Sequence, residues 1–383
     1  MRTLLPVVLV LTFGFPSKAQ NHTIDSLNMQ LGKENNSEKK LEILSLLTDE
    51  SFNTSFEEAK FYALKGVTLA DNTNNRQWQP RFYEKLGRMY ANLMMLDSAT
   101  YFFDKALNGY TIIKDNKGQA TTYFKIGWVL KRKGKIKQAM VEDLKAMKIM
   151  EQLNDKNGIA GAMNRVSEDL FRQERFDEAL EYAVKNIAFS KKNKLYEELS
   201  FAYRAAGDVK IAMASPSIAL AYYDSAMLIM KQINASIFTV LNIRNDRANA
   251  IKRMGNYKEA LAEYTACLKK AEEVNYENSI YVCLANIGET NMMLGNYPEA
   301  LKYQLKTVAL QEKTHDLSNL TENYEHVSSI YEKMGDYVNA LKYQKLSRKM
   351  RDSTAKIKSD IEMSELLTQF ETAGDIRHCF VMR

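Results

Sequence analysis

The segment GNYKEALAEY at 255–264 returns as GNYPEALKYQ at 295–304 and as GDYVNALKYQ at 335–344. The alanine inside each copy can be followed back through weaker ones, giving Ala340, Ala300, Ala260, Ala219, Ala179, Ala139, Ala99 and Ala59. Neighbours in this series lie 40 residues apart, except Ala219 and Ala260, which lie 41 apart. A second marker keeps the same step, with KDNKGQA at 114–120 and NDKNGIA at 154–160. A fixed period of this size belongs to stacked supersecondary units, none of which can bury its apolar face alone. One period reads as two helices. In 281–294, YVCLANIGETNMML, Leu284, Ile287 and Gly288 share a face at helical spacing. Gly295 stands where that helix must stop, because glycine enters the left-handed region without steric cost. Pro298 falls in the first turn of the second helix, where its missing N–H is harmless. Ala300 is small where another helix crosses close to the backbone. The expected fold is all-α, a helical solenoid of about eight antiparallel helix pairs with a C-terminal helix.

The composition agrees. Five prolines and sixteen glycines are few for 383 residues, and the plentiful alanine, leucine, lysine, glutamate and methionine are helix formers. The 53 basic and 47 acidic residues leave a formal charge of +6. No run of five or six like charges occurs. A nucleic-acid binder would show a concentrated basic stripe, so no nucleic-acid partner is expected.

The first residues read as a signal, outside the fold. Met1-Arg2 supplies a positive start, Leu4 to Phe15 a short apolar core, and Ser17-Lys18-Ala19 small residues at the two cleavage positions. This is the pattern of a secretory signal peptide over 1–19, with export to the periplasm or the medium. An uncleaved anchor is the alternative. The apolar stretch falls short of the roughly 20 residues that span a bilayer, and no later window is apolar enough.

Chemistry that would mark an enzyme is missing. The four histidines, His22, His315, His326 and His378, form no His-Glu-x-x-His pair, and no Cys-x-x-Cys exists, so a metal site lacks its ligand spacing. GKIKQ at 134–138 follows no glycine-rich phosphate loop. No cofactor and no catalytic residue are expected. The three cysteines, Cys267, Cys283 and Cys379, are too few for a stapled scaffold. Cys267 and Cys283 read as buried thiols packing as small hydrophobes; a bridge between them is the alternative, because spacing alone does not fix proximity.

At these residues the chain resembles the tetratricopeptide repeat family, which sets an aromatic, Leu-Gly, Tyr, Gly, Ala, an aromatic and Ala at fixed offsets. The copy at 83–106 has Tyr83, Leu86-Gly87, Tyr90, Ala99, Phe103 and Ala106. The copy at 123–146 has Tyr123, Ile126-Gly127, Gly134, Ala139 and Ala146. The copy at 203–226 has Tyr203, Gly207, Ala219, Tyr223 and Ala226, with Ala214-Ser215-Pro216 in place of the glycine turn. The resemblance spans roughly residues 25–350, with a period longer than the family's usual 34 or so, and implies that the solenoid is a right-handed superhelix.

The resemblance implies that the first helices line a concave groove. Its offsets direct Glu84, Arg88 and Asn92, then Phe124, Trp128 and Arg132, then Asn164, Arg172, Arg204, Asn245, Asn249 and Arg253 towards that groove. In the last repeat they direct Glu325 and Glu332 there. Guanidinium and amide donors bind carboxylates directionally, which suits a protein or peptide partner with an acidic segment or a C-terminal carboxylate. Arg132, Arg172 and Arg253 also precede inter-helix turns, where a cation complements the helix C-terminus. Trp128 either anchors a ligand or packs. Met94-Met95 and Met292-Met293 read as core and turn filler.

Past the last repeat, KIKSDIEMSELLTQFET at 356–372 places Met363, Leu366, Leu367 and Phe370 on one stripe. It reads as a capping helix, and it also resembles the connector of bacterial sensor kinases whose exported part is built of these repeats. The expected organisation is a signal peptide at 1–19, a solenoid at 20–352, and a capping or connector helix at 353–371. An irregular tail follows at 372–383, of the kind a truncated product would have. The expected function is non-catalytic binding of a protein or peptide segment, as the periplasmic ligand-sensing arm of a two-component type signalling protein without its output domain. A self-contained periplasmic adaptor is the alternative.

Overall fold

The computed structural model describes residues 18–52, 54–314, 319–353 and 355–356. The expected signal peptide up to residue 17, His315, nearly all of the 353–371 segment and the 372–383 tail lie outside the described residues. Among the described residues no strand occurs. A first helix, α1 (Lys18–Lys33), precedes the pairs α2 (Ser37–Phe52) and α3 (Phe56–Asn72), α4 (Trp78–Asn92) and α5 (Leu96–Ile112), and α6 (Asn116–Arg132) and α7 (Ile136–Gln152). There follow α8 (Lys156–Arg172) and α9 (Phe176–Asn193), α10 (Tyr196–Ala212) and α11 (Pro216–Gln232), and α12 (Ile237–Arg253) and α13 (Tyr257–Glu273). The series continues with α14 (Glu277–Met293) and α15 (Tyr297–Thr314), then α16 (Leu320–Lys333) and a last helical run, α17, over 337–353. The chain forms two compact units that divide between Ala162 and Met163, inside α8. Within each unit consecutive helices pack side by side, as α4 does on α5 and α10 on α11.

The alanine series is explained by this packing. All eight alanines sit near the start of the second helix of a pair, and all eight are buried. Twelve residues before most of them the first helix carries a small residue that forms a slot. In that slot Gly87, Gly127, Gly207 and Gly288 lie against Phe103, Asp143, Tyr223 and Gln304, each sixteen residues further on. A Cβ on Gly207 would come within 2.6 Å of the Tyr223 ring, closer than carbon atoms approach. Where the slot holds Ser167, the residue sixteen on is Ala183. The Ser167 hydroxyl then donates to the Ala179 carbonyl at 2.8 Å.

The turns keep a stricter beat than the side chains. A residue with positive φ recurs every twenty positions at Asn74, Met94, Lys114, Gly134, Asn154, Glu174, Lys194, Ala214 and Asn234. The next comes at Gly255, after twenty-one, and the step of twenty resumes at Asn275 and Gly295. The odd residue in the repeat spacing therefore lies in the linker 233–236 ahead of α12. Each such residue closes the helix before it. Asn154 N–H donates to Glu151 O and Asp155 N–H to Met150 O, both at 3.0 Å, which satisfies carbonyls the helix end leaves unpaired. The Asp-x-x-Gly marker begins the following helix. Asp115 and Asp155 accept from the backbone N–H of Gly118 and Gly158 at 2.8 and 3.0 Å. Those glycines in turn leave room for Tyr110 and Met150.

Ala214 holds the left-handed conformation at φ 53° without glycine's freedom. The penalty removed exceeds the entropy glycine adds to the unfolded chain, so Ala214→Gly is expected to raise stability by roughly 0.5–1 kcal/mol, seen as a higher urea midpoint. A lower midpoint would show that the side chain, and not the backbone, decides this turn.

Both Cys267 and Cys283 are buried free thiols. Cys267 Sγ donates to the Leu241 carbonyl at 3.6 Å and Cys283 Sγ to Asn245 Oδ1 at 3.3 Å.

Candidate functional site

In the first unit the groove-facing offsets converge on two neighbouring cavities. One, of about 120 Å³, is lined by Arg88, Ala91 and Asn92 of α4, Phe103 of α5, and Lys125 and Trp128 of α6. The other, of about 310 Å³, is lined by Ser45, Trp78, Arg81, Glu84, Lys85, Arg88 and Tyr110. Arg88 belongs to both. The smaller is an apolar slot with donors at its rim: Trp128 is half-buried and Phe103 buried, while Asn92 is exposed. Arg132, the last residue of α6, lies over the Trp128 ring with its guanidinium 5.0 Å from the centroid. Phe124 is half-buried and lines neither cavity.

The charges here are tied to partners one repeat away. Arg88 and Lys85 bind the two carboxylate oxygens of Asp49 at 2.7 and 2.5 Å. Glu84 accepts from Lys125 and, at 2.8 Å, from the Tyr110 hydroxyl. Burial and the Glu84 charge push the Tyr110 hydroxyl well above the usual phenol range. With Arg81 included, the basic side chains still outnumber the carboxylates in this stretch of groove.

The second unit is arranged differently. Asn164 donates to Glu198 at 2.9 Å and accepts from Asn186 at 2.8 Å, so its amide is held by α9 and α10. Arg172 closes on Glu168 of its own helix at 2.8 Å. Arg204 Nε binds Asp246 Oδ2 at 2.6 Å, and the Tyr223 hydroxyl donates to Asp208 Oδ1 at 2.7 Å. Burial, followed by the nearby Asp246 charge, pushes Asp208 up to about 6. Lys252 bridges Asn286 and Glu289 of the next repeat at 3.0 and 2.6 Å. Asn249 is half-buried, and Arg253, the last residue of α12, is exposed. Glu325 and Glu332 line a cavity of about 270 Å³ between α16 and α17.

One expected groove residue is displaced. Asn245 is interior, 6% exposed, and its amide donates to Ser279 at 3.2 Å while accepting from Cys283. The small side chains of Ser279 and Cys283 leave a polar gap between helices, and the asparagine amide fills it. Of the methionines expected as core and turn filler, Met94, Met95 and Met293 are exposed at or beside turns and none of these is core.

The raised Asp208 gives a pH dependence whose sign can be worked out. Its carboxyl is near 4 in the unfolded chain and about 6 in the folded one, so the folded state binds the proton more tightly. The stabilisation is complete below pH 4 or so and is lost as pH rises through 6. Wild-type stability is therefore expected to fall between pH 4 and 7, and Asp208→Asn to flatten that slope in urea titrations. An unchanged slope in the variant would place the titration elsewhere.

Residues 282–318 match the family model of the tetratricopeptide repeat. That segment, most of α14 and all of α15, reads as one tetratricopeptide repeat. No protein of curated function matches the sequence. Among solved structures, a Rap protein complexed with competence and sporulation factor is 13% identical with a TM-score of 0.59, over 89% of this chain and 99% of that one. Aspartyl phosphate phosphatase F from Bacillus subtilis is 12% identical with a TM-score of 0.59, over 91% of this chain and 96% of that one. A signal transduction ATPase with a tetratricopeptide repeat sensor, from Pyrococcus horikoshii, is 12% identical with a TM-score of 0.58, over 90% of this chain and 55% of that one. At these identities the likeness is one of fold. Among the described residues of this array, no cluster of His, Cys, Asp and Glu could hold a metal ion, and no helix is long and apolar enough to cross a membrane.

The family offsets thus bring Arg88, Asn92 and Trp128 together, with Arg132 beside them. They miss Lys125, Phe103, Asp49, Asp208 and Asp246. A search for opposite charges one period apart would have found several of these, since Glu84 and Lys125 are 41 residues apart and Arg204 and Asp246 are 42.

Proposed function

We propose that this tetratricopeptide array is a non-catalytic scaffold that binds an extended peptide segment in the groove of its first unit. The observation that carries the reading is the apolar slot between Phe103, Ala91 and Trp128 with Arg88, Asn92 and Lys125 at its rim. An apolar side chain of the ligand would enter the slot and bury aromatic surface, the contact type that dominates peptide anchoring. The Asn92 amide stands ready for the peptide backbone. Arg88 and Lys125 are shared with Asp49 and Glu84, so a ligand carboxylate would have to join or displace an existing pair. The solved Rap structures that resemble this fold hold a competence and sporulation factor in one case and the Phr* peptide in another, which supports a peptide as ligand.

The only two tryptophans, Trp78 and Trp128, each line one of the two cavities. Intrinsic fluorescence therefore reports on the groove directly. Titration with a library of short peptides, including ones with acidic and C-terminal carboxylate ends, is expected to shift the emission of a subset. Trp128→Ala should weaken those by about 2 kcal/mol, roughly thirtyfold. Binding that survives Trp128→Ala at full strength would move the site elsewhere.

In its cellular setting the array would be the periplasmic ligand-sensing arm of a two-component type signalling protein. The signal pattern at 1–19 and the likeness of 356–372 to sensor-kinase connectors support this. A mature N-terminus at Gln20 in a periplasmic extract is the expected result; an intact Met1 in the cytoplasm would overturn it. A periplasmic adaptor, with 353–371 as a cap in place of a connector, is the second reading. A reading frame downstream that encodes a membrane span and kinase elements would decide against it.

A further inference from the structure

Two turns of the first unit carry side chains that the core does not use. Between α4 and α5, Met94 and Met95 are 48% and 42% exposed. Met94 holds φ 59°, the left-handed conformation that Gly134 takes in the turn between α6 and α7. Among the described residues, the other non-glycine positions with positive φ hold asparagine, lysine, glutamate or alanine. A long apolar side chain is thus kept in solvent at a position where glycine would be free of strain, an outlier of the kind that collects at functional surfaces. The turn between α6 and α7 reads Arg132-Lys133-Gly134-Lys135-Ile136-Lys137. Lys133 reaches across to α5, where it binds the Asp97 carboxylate and, at 3.1 Å, the Thr100 hydroxyl. That bridge sets the two turns side by side on one edge of the unit. Within 93–98 and 132–138 there are four cations and one carboxylate, Asp97, which Lys133 takes. Arg132 lies over the Trp128 ring, while Lys135 and Lys137 are exposed with no carboxylate partner among the described residues.

We propose that this edge docks on the surface of an anionic lipid bilayer, with Met94 and Met95 entering the interface and Arg132, Lys135 and Lys137 meeting the phosphate headgroups. Cations alone would suit any polyanion, but exposed methionines gain nothing from phosphates or carboxylates in water. At a bilayer both halves of the patch find a partner at once, because headgroups and the start of the hydrocarbon lie within reach of a single turn. Methionine is unbranched and adaptable, which suits so irregular a medium. Two adjacent turns are also a small footprint beside the roughly 800 Å² per side that a specific protein complex covers. Peripheral lipid contact, by contrast, is built from a few such side chains. The second unit has the methionines without the charge. Its turns expose Met254, Met293 and Met334, but within 252–259, 293–299 and 332–338 four carboxylates offset four cations. The edge includes none of the residues that line the peptide slot, so it stands apart from that reading.

Co-sedimentation of the full chain with lipid vesicles tests this. The wild type is expected to bind vesicles of equal parts phosphatidylglycerol and phosphatidylcholine, to release them as salt rises, and to bind phosphatidylcholine alone weakly. Lys135→Gln/Lys137→Gln should weaken the partition about thirtyfold. Met94→Gly should weaken it about fivefold and yet raise the urea midpoint, a combination that damage to the fold cannot produce. Equal binding by the wild type and both variants would overturn the proposal and assign the contact to the apolar stretch at 4–15. Failure of the wild type to bind anionic vesicles would overturn it as well. Retention on immobilised poly-glutamate without vesicle binding would do so in favour of an acidic protein partner.

Discussion

Lys131→Met is expected to lower the stability of the first unit by roughly 3–5 kcal/mol, because it strips the counter-charge from a carboxylate sealed inside the array. Lys131 Nζ lies 3.1 Å from Asp143 Oδ2, with the lysine side chain 8% exposed and the aspartate 0%. Asp143 occupies the second-helix position that holds Phe103 and Tyr223 in other repeats, against the bare backbone of Gly127. An ion pair so placed gains little over an apolar pair of the same volume, since desolvation offsets most of its attraction. The double change Lys131→Met/Asp143→Leu should therefore recover most of the loss. Urea unfolding followed by circular dichroism gives all four corners of the cycle. A loss below about 1 kcal/mol for Lys131→Met alone would put the pair in the class of solvated surface bridges and sink the argument.

The second large effect concerns Phe82, fully buried in the cluster of Leu41, Leu44, Ala63 and Leu86. Phe82→Ala is expected to cost roughly 3–5 kcal/mol through lost burial and the cavity left behind. The partner test is more discriminating than the loss itself. A Cβ on Gly66 would lie 2.3 Å from the Phe82 ring, so Gly66→Ala should destabilise the wild type by roughly 1–3 kcal/mol. In the Phe82→Ala background the ring is gone and alanine is the better helix former, so the same change should become neutral or stabilising. A sign that does not reverse would mean that the two helices shift apart and the ring does not set their distance.

The sequence was most informative where a residue answers only to its own repeat. The buried alanines, the small-residue slot and the left-handed turn residues recur because each meets the equivalent position of its own pair, and a period is how such a constraint looks in one dimension. The ion-pair ladder was not legible in this way. The partners are Asp49 with Arg88 in one place and Arg204 with Asp246 in another, and charge can be exchanged across a repeat boundary without disturbing the core. Asn245 was read as a groove residue because its offset is a groove offset. What turns it inward is the identity of Ser279 and Cys283 one repeat on, which no rule about α12 alone contains. The helix α1 was missed for a related reason: it precedes the first pair and carries none of the markers that define one.

The twenty-residue beat of the turns bears on how such a chain can grow. Because every turn and every slot repeats at one fixed interval, an in-frame duplication of a single period preserves the register wherever its ends fall, in the middle of a helix as well as in a linker. Only the length of the copied block matters. The linker 233–236 shows the tolerance of the scheme: one residue beyond the interval is absorbed in a turn, and the beat resumes at Gly255 unchanged. A gene built this way needs no special breakpoints to lengthen or shorten its product, and each new pair would bring with it a fresh stretch of surface on which recognition could be altered while the neighbouring pairs keep theirs.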